Sequence, residues 1–327
     1  MKRPNPRGLA RLGPRGTFGT ALLAVAEDND KVLGVTADLA ITAGLERFRL
    51  QKPDRLLNVG IAEQNLVGIA AGLADDGWAP FAVTFANFAA MRSCEFVRHH
   101  LGYMRQPVTV VGIGAGFAMG QFGTTHYSLE DVSVLRAIPN LPIVSPGDCT
   151  AVWEAVEALG NDPRPTYLRL SGAPSMRPVD QGDTTFEVGR ARVLREGGDV
   201  TLVATGSMLG VAVAAADRLA DLGLEVGVVN MHTIKPLDEA AVHHLSASTD
   251  AIVTVEEHSV VGGLGAAVAE VLTMHRDTPP LLRLGVADRF PGVGSYEWVL
   301  EQCGLTDEGV TASVSDWVKN GHRPPAT

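Results

Sequence analysis

Residues 58 to 73 read NVGIAEQNLVGIAAGL, a stretch that joins the end of a short strand to the start of a helix. It is almost wholly apolar, small or amide-bearing, and Glu63 is its one charged residue. A strand that leads directly into a helix is the building unit of parallel α/β sheets. Because an acid is rarely buried without a partner, Glu63 either complements the dipole of its helix or has a chemical task in an apolar site.

This strand-to-helix unit recurs along the whole chain. β-Branched runs such as APFAVTFA and PVTVVGIGAG alternate with helical stretches, and the alternation restarts after an irregular segment at 171 to 190. We predict an α/β fold of two doubly wound domains, the first with a mostly parallel sheet. The predicted bounds are a flexible basic arm at 1–14, a first domain at 15–175, a linker at 176–190 and a second domain at 191–327.

Composition and charge narrow the function. The chain has 327 residues, of which 46% are apolar and 20% charged, which is typical of a globular protein with a sizeable core. A net charge of −10 with no long basic run argues against nucleic acid and anionic membranes as partners. Three cysteines, far apart in the sequence, indicate a reducing cytoplasm rather than disulfides or a zinc site. We predict no metal site within this chain.

Ligands of open α/β sheets bind beyond the carboxyl ends of the strands. The segments expected at that edge contain polar and aromatic residues, among them Asp38, Glu63, the pair Phe85 and Phe88 in TFANF, the run FGTTH from Phe122 to His126, and His258. Phe85 and Phe88 either pack in the core or form an apolar slot for a heteroaromatic ring. The glycine-rich residues before His126 do not match a dinucleotide fingerprint and are typical of a substrate loop.

Taken together, GIAEQNLVGIAAGL, TFANF, GTTH, EDVSVLRAIPNLPIVSPGD and the segment from VATGSMLG to HTIKPLD resemble the transketolase family. The resemblance begins near Arg15 and covers nearly all of the chain, with the motifs in the family's order. It corresponds to the C-terminal half only: a thiamine-diphosphate pyrimidine-binding domain followed by a transketolase C-terminal domain, which has a mixed sheet. The GDG…N signature that holds Mg²⁺ and the cofactor's diphosphate is not in this sequence.

The resemblance assigns four residues to the cofactor. Glu63 matches the catalytic acid that hydrogen-bonds N1′ of the aminopyrimidine ring and so favours removal of the thiazolium C2 proton. Phe85 and Phe88 match the aromatic residues around the pyrimidine, and Asp38 matches a cofactor-proximal aspartate. The apolar surroundings of Glu63 would then favour its protonated form, as this chemistry requires.

Further residues match positions that contact substrate. His126, with Thr125 before it, corresponds to a catalytic histidine that contacts sugar hydroxyls and the carbonyl group. Thr42 falls near a substrate-phosphate position, and Arg15 matches a substrate-binding arginine. His258 is expected to lie in an interface loop that approaches the active site.

Four positions depart from the family's usual pattern. Phe122, which we include among the substrate-binding residues, stands where an aspartate usually binds a sugar hydroxyl. Tyr127 replaces a glutamine, and Gly114 replaces a histidine. SGAPS at 171–175 has no phosphate-binding arginine beside it unless Arg169 serves. Phe122 cannot accept a hydrogen bond from a sugar hydroxyl, and the SGAPS position lacks a phosphate-binding arginine. These departures argue against the standard pentose phosphates as substrates, but they leave the residues for the thiamine chemistry in place.

The resemblance implies the C-terminal subunit of a split, thiamine-diphosphate-dependent transketolase that transfers a two-carbon ketol unit from a ketose to an aldehyde or related acceptor. Mg²⁺ would be held mainly by a separate N-terminal subunit, in an α₂β₂ assembly that acts on a sugar or small carbonyl compound. Two alternatives stay open: the β subunit of a 2-oxoacid dehydrogenase or lipoyl-directed system, and a non-catalytic regulatory homologue.

Overall fold

The computed structural model describes residues 3–172, 176, 178–179 and 186–321. Residues 177 and 180–185 of the predicted linker and the last three residues of SGAPS therefore lie outside the described residues. The first domain contains α1 (Pro6–Asp28), β1 (Val32–Thr36), α2 (Glu46–Gln51), β2 (Leu56–Asn58), α3 (Glu63–Asp75), β3 (Ala79–Phe85), α4 (Cys94–Phe96), β4 (Thr109–Ala115), α5 (Asp131–Arg136), β5 (Ile143–Val144), α6 (Cys149–Asn161) and β6 (Thr166–Ser171). Wide, π-type helical turns at Phe88–Arg92 and Val97–Tyr103 flank α4.

The second domain repeats the alternation. It contains β7 (Arg192–Arg195), β8 (Val200–Ala204), α7 (Met208–Asp221), β9 (Val226–Asn230), β10 (Thr233–Lys235), α8 (Glu239–Ser248), β11 (Ile252–Ser259), α9 (Leu264–Leu272), β12 (Leu281–Val286), α10 (Tyr296–Gln302) and α11 (Asp307–Lys319). Over the described part of the chain, no helix is long and apolar enough to cross a membrane.

The two sheets confirm the predicted fold class. Strands β5, β6, β4, β3, β1 and β2 lie side by side in that order and are all parallel, and β10 joins the outer side of β5 in the antiparallel direction. The second sheet has the order β12, β11, β8, β9, β7, with only β7 antiparallel to its neighbour. Because β10 belongs to the second domain, a strand of that domain extends the sheet of the first.

Burial on both faces explains the sequence of the strands. Every residue of β1, β4, β8 and β9 is buried, as expected for parallel strands that helices cover on both sides. The helices also approach the loops closely. A Cβ atom on Gly19 of α1 would lie 1.9 Å from the carbonyl oxygen of Gly44, so only glycine lets the loop before α2 pack there.

The N-terminal residues differ from the predicted flexible arm. Asn5 accepts a hydrogen bond from the Gly8 amide at 2.8 Å, and Pro6 begins α1, which is a common arrangement at a helix start. Leu9 is fully buried in the core of the first domain. The chain kinks at Gly13, where φ is +69°, immediately before Pro14. The basic residues of this segment suggested a flexible arm, but the segment is a helix, and its apolar side packs against the core.

Candidate active site

The carboxyl ends of four neighbouring parallel strands form one edge of the first sheet. In the order β2, β1, β3, β4, they lead to Glu63, to Asp38, to Phe85 and to the loop of residues 116–128, which we call the β4–α5 loop. The strand order thus brings together segments that are far apart in the sequence, as the α/β pattern predicts.

Three aromatic rings surround His126, and we call these four residues the aromatic cluster. The ring centroids of Phe85 and Phe88 each lie 5.5 Å from that of His126, and Phe122 lies 5.0 Å from it. Phe85 and Phe88 meet edge to face at 5.9 Å. Both rings are half-buried, whereas the Phe122 residue is 62% exposed. The cluster is therefore a partly open apolar surface with one titratable ring in its middle.

Glu63 is the first residue of α3 and only 2% exposed. Arg92 donates a hydrogen bond of 2.6 Å from Nη1 to its Oε1, and the Arg92 guanidinium lies 4.0 Å from the centre of the Phe88 ring. Glu63 therefore has a charged partner, which the sequence did not identify. Arg92 joins the acid to the aromatic cluster through an ion pair and a cation–π contact.

Arg92 was missed because it lies in an irregular helical turn. Its position four residues after Phe88 gives both side chains the same side of the turn, which is the signal that sequence reasoning had available. The need of a buried acid for a partner was a second signal.

Asp38 occupies the left-handed region of backbone conformation, with φ of +61°. Its Oδ1 accepts a hydrogen bond from Asn58 Nδ2 at 2.9 Å. In return, Asn58 Oδ1 accepts from the amides of Asp38 and Gly60, both at 3.0 Å. Asn58, a second residue that sequence reasoning missed, thus fixes the ends of β1 and β2 together. This reciprocal bonding offsets the cost of the positive φ and presents the Asp38 carboxylate to solvent.

The β4–α5 loop carries Phe122, Thr125 and His126. Its base is closed by two backbone hydrogen bonds between Gly116 and Ser128, at 3.0 and 3.1 Å. Within it, Thr125 Oγ1 lies 2.9 Å from His126 Nδ1, a contact that orients the imidazole. Asn87 donates a hydrogen bond of 2.7 Å to the Thr125 carbonyl and so ties the loop to the TFANF segment.

Arg15 and Thr42 line one cavity of about 380 Å³. Gly114 and Ser171 are also in its wall, and a Cβ atom on Gly114 would lie 3.5 Å from the Phe85 ring. The cavity therefore adjoins the aromatic cluster through the position where a histidine is usual in the family. Within the described residues the Arg15 guanidinium has no hydrogen bond or ion pair, so a cation is available at this wall.

The structure does not place His258 with these residues. The ring is 1% exposed; its Nδ1 lies 2.7 Å from the Ser259 carbonyl and its Nε2 accepts from the Ser133 amide at 3.4 Å. Burial lowers the pKa of His258 to about 4. The predicted substrate role does not fit this position, because α5 of the first domain covers the end of β11.

Arg169 cannot serve as a phosphate ligand either. It is buried and donates a 2.8 Å hydrogen bond from Nε to Asp131, and further bonds to the carbonyl groups of Ser128 and Glu257.

Comparisons with known proteins give the family and the fold of the chain. Residues 13–173 match the family model described as transketolase, pyrimidine binding domain, and residues 189–310 match the transketolase C-terminal domain. A 6-deoxy-6-sulfo-D-fructose transketolase subunit of a Clostridium species is 39% identical over 92% of this chain and 93% of its own length. One of the subunits of an apulose-4-phosphate transketolase from Phocaeicola vulgatus is 35% identical, covering 93% of this chain and 97% of its own length.

A solved structure described as a split gene transketolase, inactive β4 tetramer, superposes with a TM-score of 0.83 at 38% identity. The superposition covers 93% of this chain and 97% of that one.

Proposed function

The chain belongs to the transketolase family, and we propose that it is the C-terminal subunit of a split, thiamine-diphosphate-dependent transketolase. It would transfer a two-carbon ketol unit from a ketose donor to an aldehyde acceptor. The family matches confirm the resemblance drawn from the motifs and do not favour a 2-oxoacid dehydrogenase subunit or a non-catalytic homologue. The observation that carries the proposal is the buried Glu63 carboxylate, which Arg92 links to the aromatic cluster.

The residues present suit the pyrimidine end of thiamine diphosphate. A buried carboxyl group is what a ring nitrogen needs in order to share a proton, and half-buried phenyl rings are what an aromatic heterocycle packs against. When bound, the cofactor supplies the nucleophilic carbon that takes up the two-carbon unit. Glu63 would hold the proton at the ring nitrogen, Phe85 and Phe88 would exclude water from the ring, and Asp38 would lie near the cofactor.

The same edge suits a sugar with an anionic end. Thr125 and His126 offer hydrogen-bond donors and acceptors to hydroxyl and carbonyl groups. Arg15, a cation without a partner in the described structure, lines the neighbouring cavity together with Thr42. The two relatives compared above are named for a sulfonated and for a phosphorylated sugar. We therefore propose a substrate that carries a terminal phosphate or sulfonate, with Phe122 opposite a carbon that needs no hydrogen-bond acceptor.

The proposal includes a partner subunit, because the residues at this sheet edge suit only the pyrimidine end of the cofactor. The sequence lacks the GDG…N signature, so a separate N-terminal subunit would hold Mg²⁺ and the diphosphate, within an α₂β₂ assembly. Exposed apolar side chains near the site edge, Ile41 and Ile61 at 76% each, suit burial against such a partner. The three cysteines are free, which supports a cytoplasmic location.

The test is reconstitution with a purified N-terminal transketolase chain, Mg²⁺ and thiamine diphosphate. Cofactor binding is followed by calorimetry, and aldehyde release is measured from a ketose phosphate, a sulfonated ketose and an unsubstituted ketose. We expect turnover only in the mixture, with preference for the two anionic donors.

Glu63→Gln is the matched control, since it keeps the shape of the side chain and removes the shared proton. It should abolish turnover while the circular dichroism spectrum and the assembly stay unchanged. A mixture that binds cofactor normally but releases no aldehyde from any donor would refute the proposal.

A further inference from the structure

The β4–α5 loop is held largely by the second domain. Phe117 and Tyr127, near its two ends, pack at 5.1 Å and belong to the hydrophobic core of the second domain, together with Leu129 beyond the loop. The Tyr127 hydroxyl lies 2.9 Å from the Gly120 carbonyl within the loop and 2.9 Å from the Gly292 carbonyl in the second domain. The loop that carries the catalytic candidate His126 is therefore anchored outside its own domain.

Glu257 of β11 makes the most direct of these anchors. Its carboxylate is 1% exposed, and its Oε1 accepts a hydrogen bond of 2.5 Å from the Phe117 amide. Its Oε2 accepts from the Tyr296 hydroxyl at 2.9 Å and from the Ser207 hydroxyl. Three donors on one buried carboxylate fix its position, so the Phe117 amide meets an acceptor that is itself held in place.

The backbone at the start of the loop is shaped to reach this carboxylate. Gly116 has a φ of +67°, and a Cβ atom there would lie 2.3 Å from Glu257 Oε1. At the other end of the loop, Arg169 donates hydrogen bonds to the carbonyl groups of both Ser128 and Glu257, at 3.2 and 2.9 Å. Both ends of the loop are thus bonded to the same residue of β11, directly or through one guanidinium.

We propose that Glu257 is a positioning residue of the second domain, which holds the β4–α5 loop and thereby sets where His126 meets the substrate. Glu257 does not belong to the edge of the first sheet and is not in contact with His126; it acts through the backbone at Phe117. The kinetic consequence rests on the proposed transketolase function, whereas the anchoring of the loop does not.

The anchoring is tested on the chain alone by hydrogen–deuterium exchange and mass spectrometry. Glu257→Ala should raise exchange in peptides covering 116–128 at least tenfold, because the Phe117 amide loses its acceptor. Glu257→Gln should stay close to wild type, since its amide oxygen can still accept from Phe117. Glu257→Asp, which keeps the charge but is shorter, should resemble Glu257→Ala and replaces it if the alanine variant does not fold.

Glu256→Ala is the matched control, because Glu256 is the neighbouring buried carboxylate and accepts from the amides of Leu264 and Gly265 instead. Its exchange should increase at the start of α9 and not in the loop. If Glu257→Ala and Glu257→Asp leave exchange at 116–128 unchanged, or if Glu256→Ala raises it equally, Glu257 has no specific role in holding the loop.

In the reconstituted enzyme, Glu257→Ala or Glu257→Asp should lower kcat/KM for the donor at least tenfold while thiamine diphosphate binds as before, since small displacements of a reacting group are costly. In a His126→Ala background the same substitution should cost little more, because both changes affect the same group. Full additivity, or an equal loss of cofactor binding, would overturn the proposal. Absence of turnover in the wild-type mixture would instead refute the proposed function and leave the exchange result standing.

Discussion

His258 and Glu256 should give the protein two opposite pH dependences that nearly cancel. Both side chains are 1% exposed and point into the same region, with His258 Nδ1 3.8 Å from Glu256 Oε2. His258 also lies 4.0 Å from Asp131, which Arg169 pairs. The hydrogen bonds of the ring fit the neutral form, with Nδ1–H donating to the Ser259 carbonyl and Nε2 accepting from the Ser133 amide.

Burial moves the two pKa values in opposite directions. The pKa of His258 is lowered from 6.5 to about 4, so between these values the unfolded chain binds a proton that the folded chain does not. The contribution of His258 therefore makes the free energy of unfolding increase as pH rises from 4 to 6.5. The pKa of Glu256 is raised from 4.5 to about 7, so between these values the unfolded chain releases a proton that the folded chain keeps, and stability decreases as pH rises. At about 1.4 kcal/mol per pKa unit, each term is worth roughly 3 kcal/mol over its full range.

Two substitutions separate the terms. His258→Gln removes the contribution of His258, which increases with pH. The free energy of unfolding of this variant relative to wild type should therefore fall by about 2 kcal/mol between pH 5 and pH 6.5. Glu256→Gln removes the contribution of Glu256, which decreases with pH. The free energy of unfolding of this variant relative to wild type should therefore rise by a similar amount over the same range. The measurement is urea unfolding followed by circular dichroism at pH 5, 5.5, 6 and 6.5, with wild type run in parallel.

The double variant is the internal control, since with both terms removed its stability relative to wild type should not change with pH. If the two single variants show differences of the same sign, or none, the assignment of His258 as a buried neutral residue and Glu256 as a buried protonated one is refuted.

Three further predictions concern single side chains. Arg92→Leu should lower the free energy of unfolding by about 1–3 kcal/mol in urea titrations, because it leaves the buried Glu63 carboxylate without its donor, while Arg92→Lys should cost less. Phe122→Asp should raise kcat/KM about tenfold for substrates with a hydroxyl opposite this position relative to those without one, since one hydrogen bond is worth about 1.4 kcal/mol. Leu9→Ala should destabilise the chain by about 2–5 kcal/mol in the same titrations; no change would mean that the N-terminal helix is not part of the fold.

The fold and much of the site could be predicted because they depend on local patterns. The period of apolar residues identified the strands and helices, and the rule that ligands bind at the carboxyl edge placed Glu63, Phe85, Phe88 and His126 on one side of the sheet. The first turns of α1 were not predicted, because basic residues there outnumber the one buried leucine, Leu9, that anchors them. A short segment of sequence does not show which of its sides packs against the core.

Contacts between distant segments could not be predicted. The bonding of Asp38 to Asn58 requires that β2 pair with β1, and the pairing of Arg92 with Glu63 requires the wide turn at Phe88–Arg92. His258 was expected at an open strand end because β11 ends there. In the structure, α5 covers that end of the strand. The spacing of apolar residues in α5 and in β11 does not show that these two elements, from different domains, pack together.

In the proposed active site, the two buried acids Glu63 and Glu257 would have separate tasks. Glu63 lies at the sheet edge, where one side of the site remains open, as the exposed Ile61 shows. Glu257 lies between the domains, where nothing but protein surrounds it. A partner subunit that covers the edge would therefore change the surroundings of Glu63 but not those of Glu257. Under the proposed function, binding of the partner subunit would therefore complete the cofactor site around a loop that the second domain already holds.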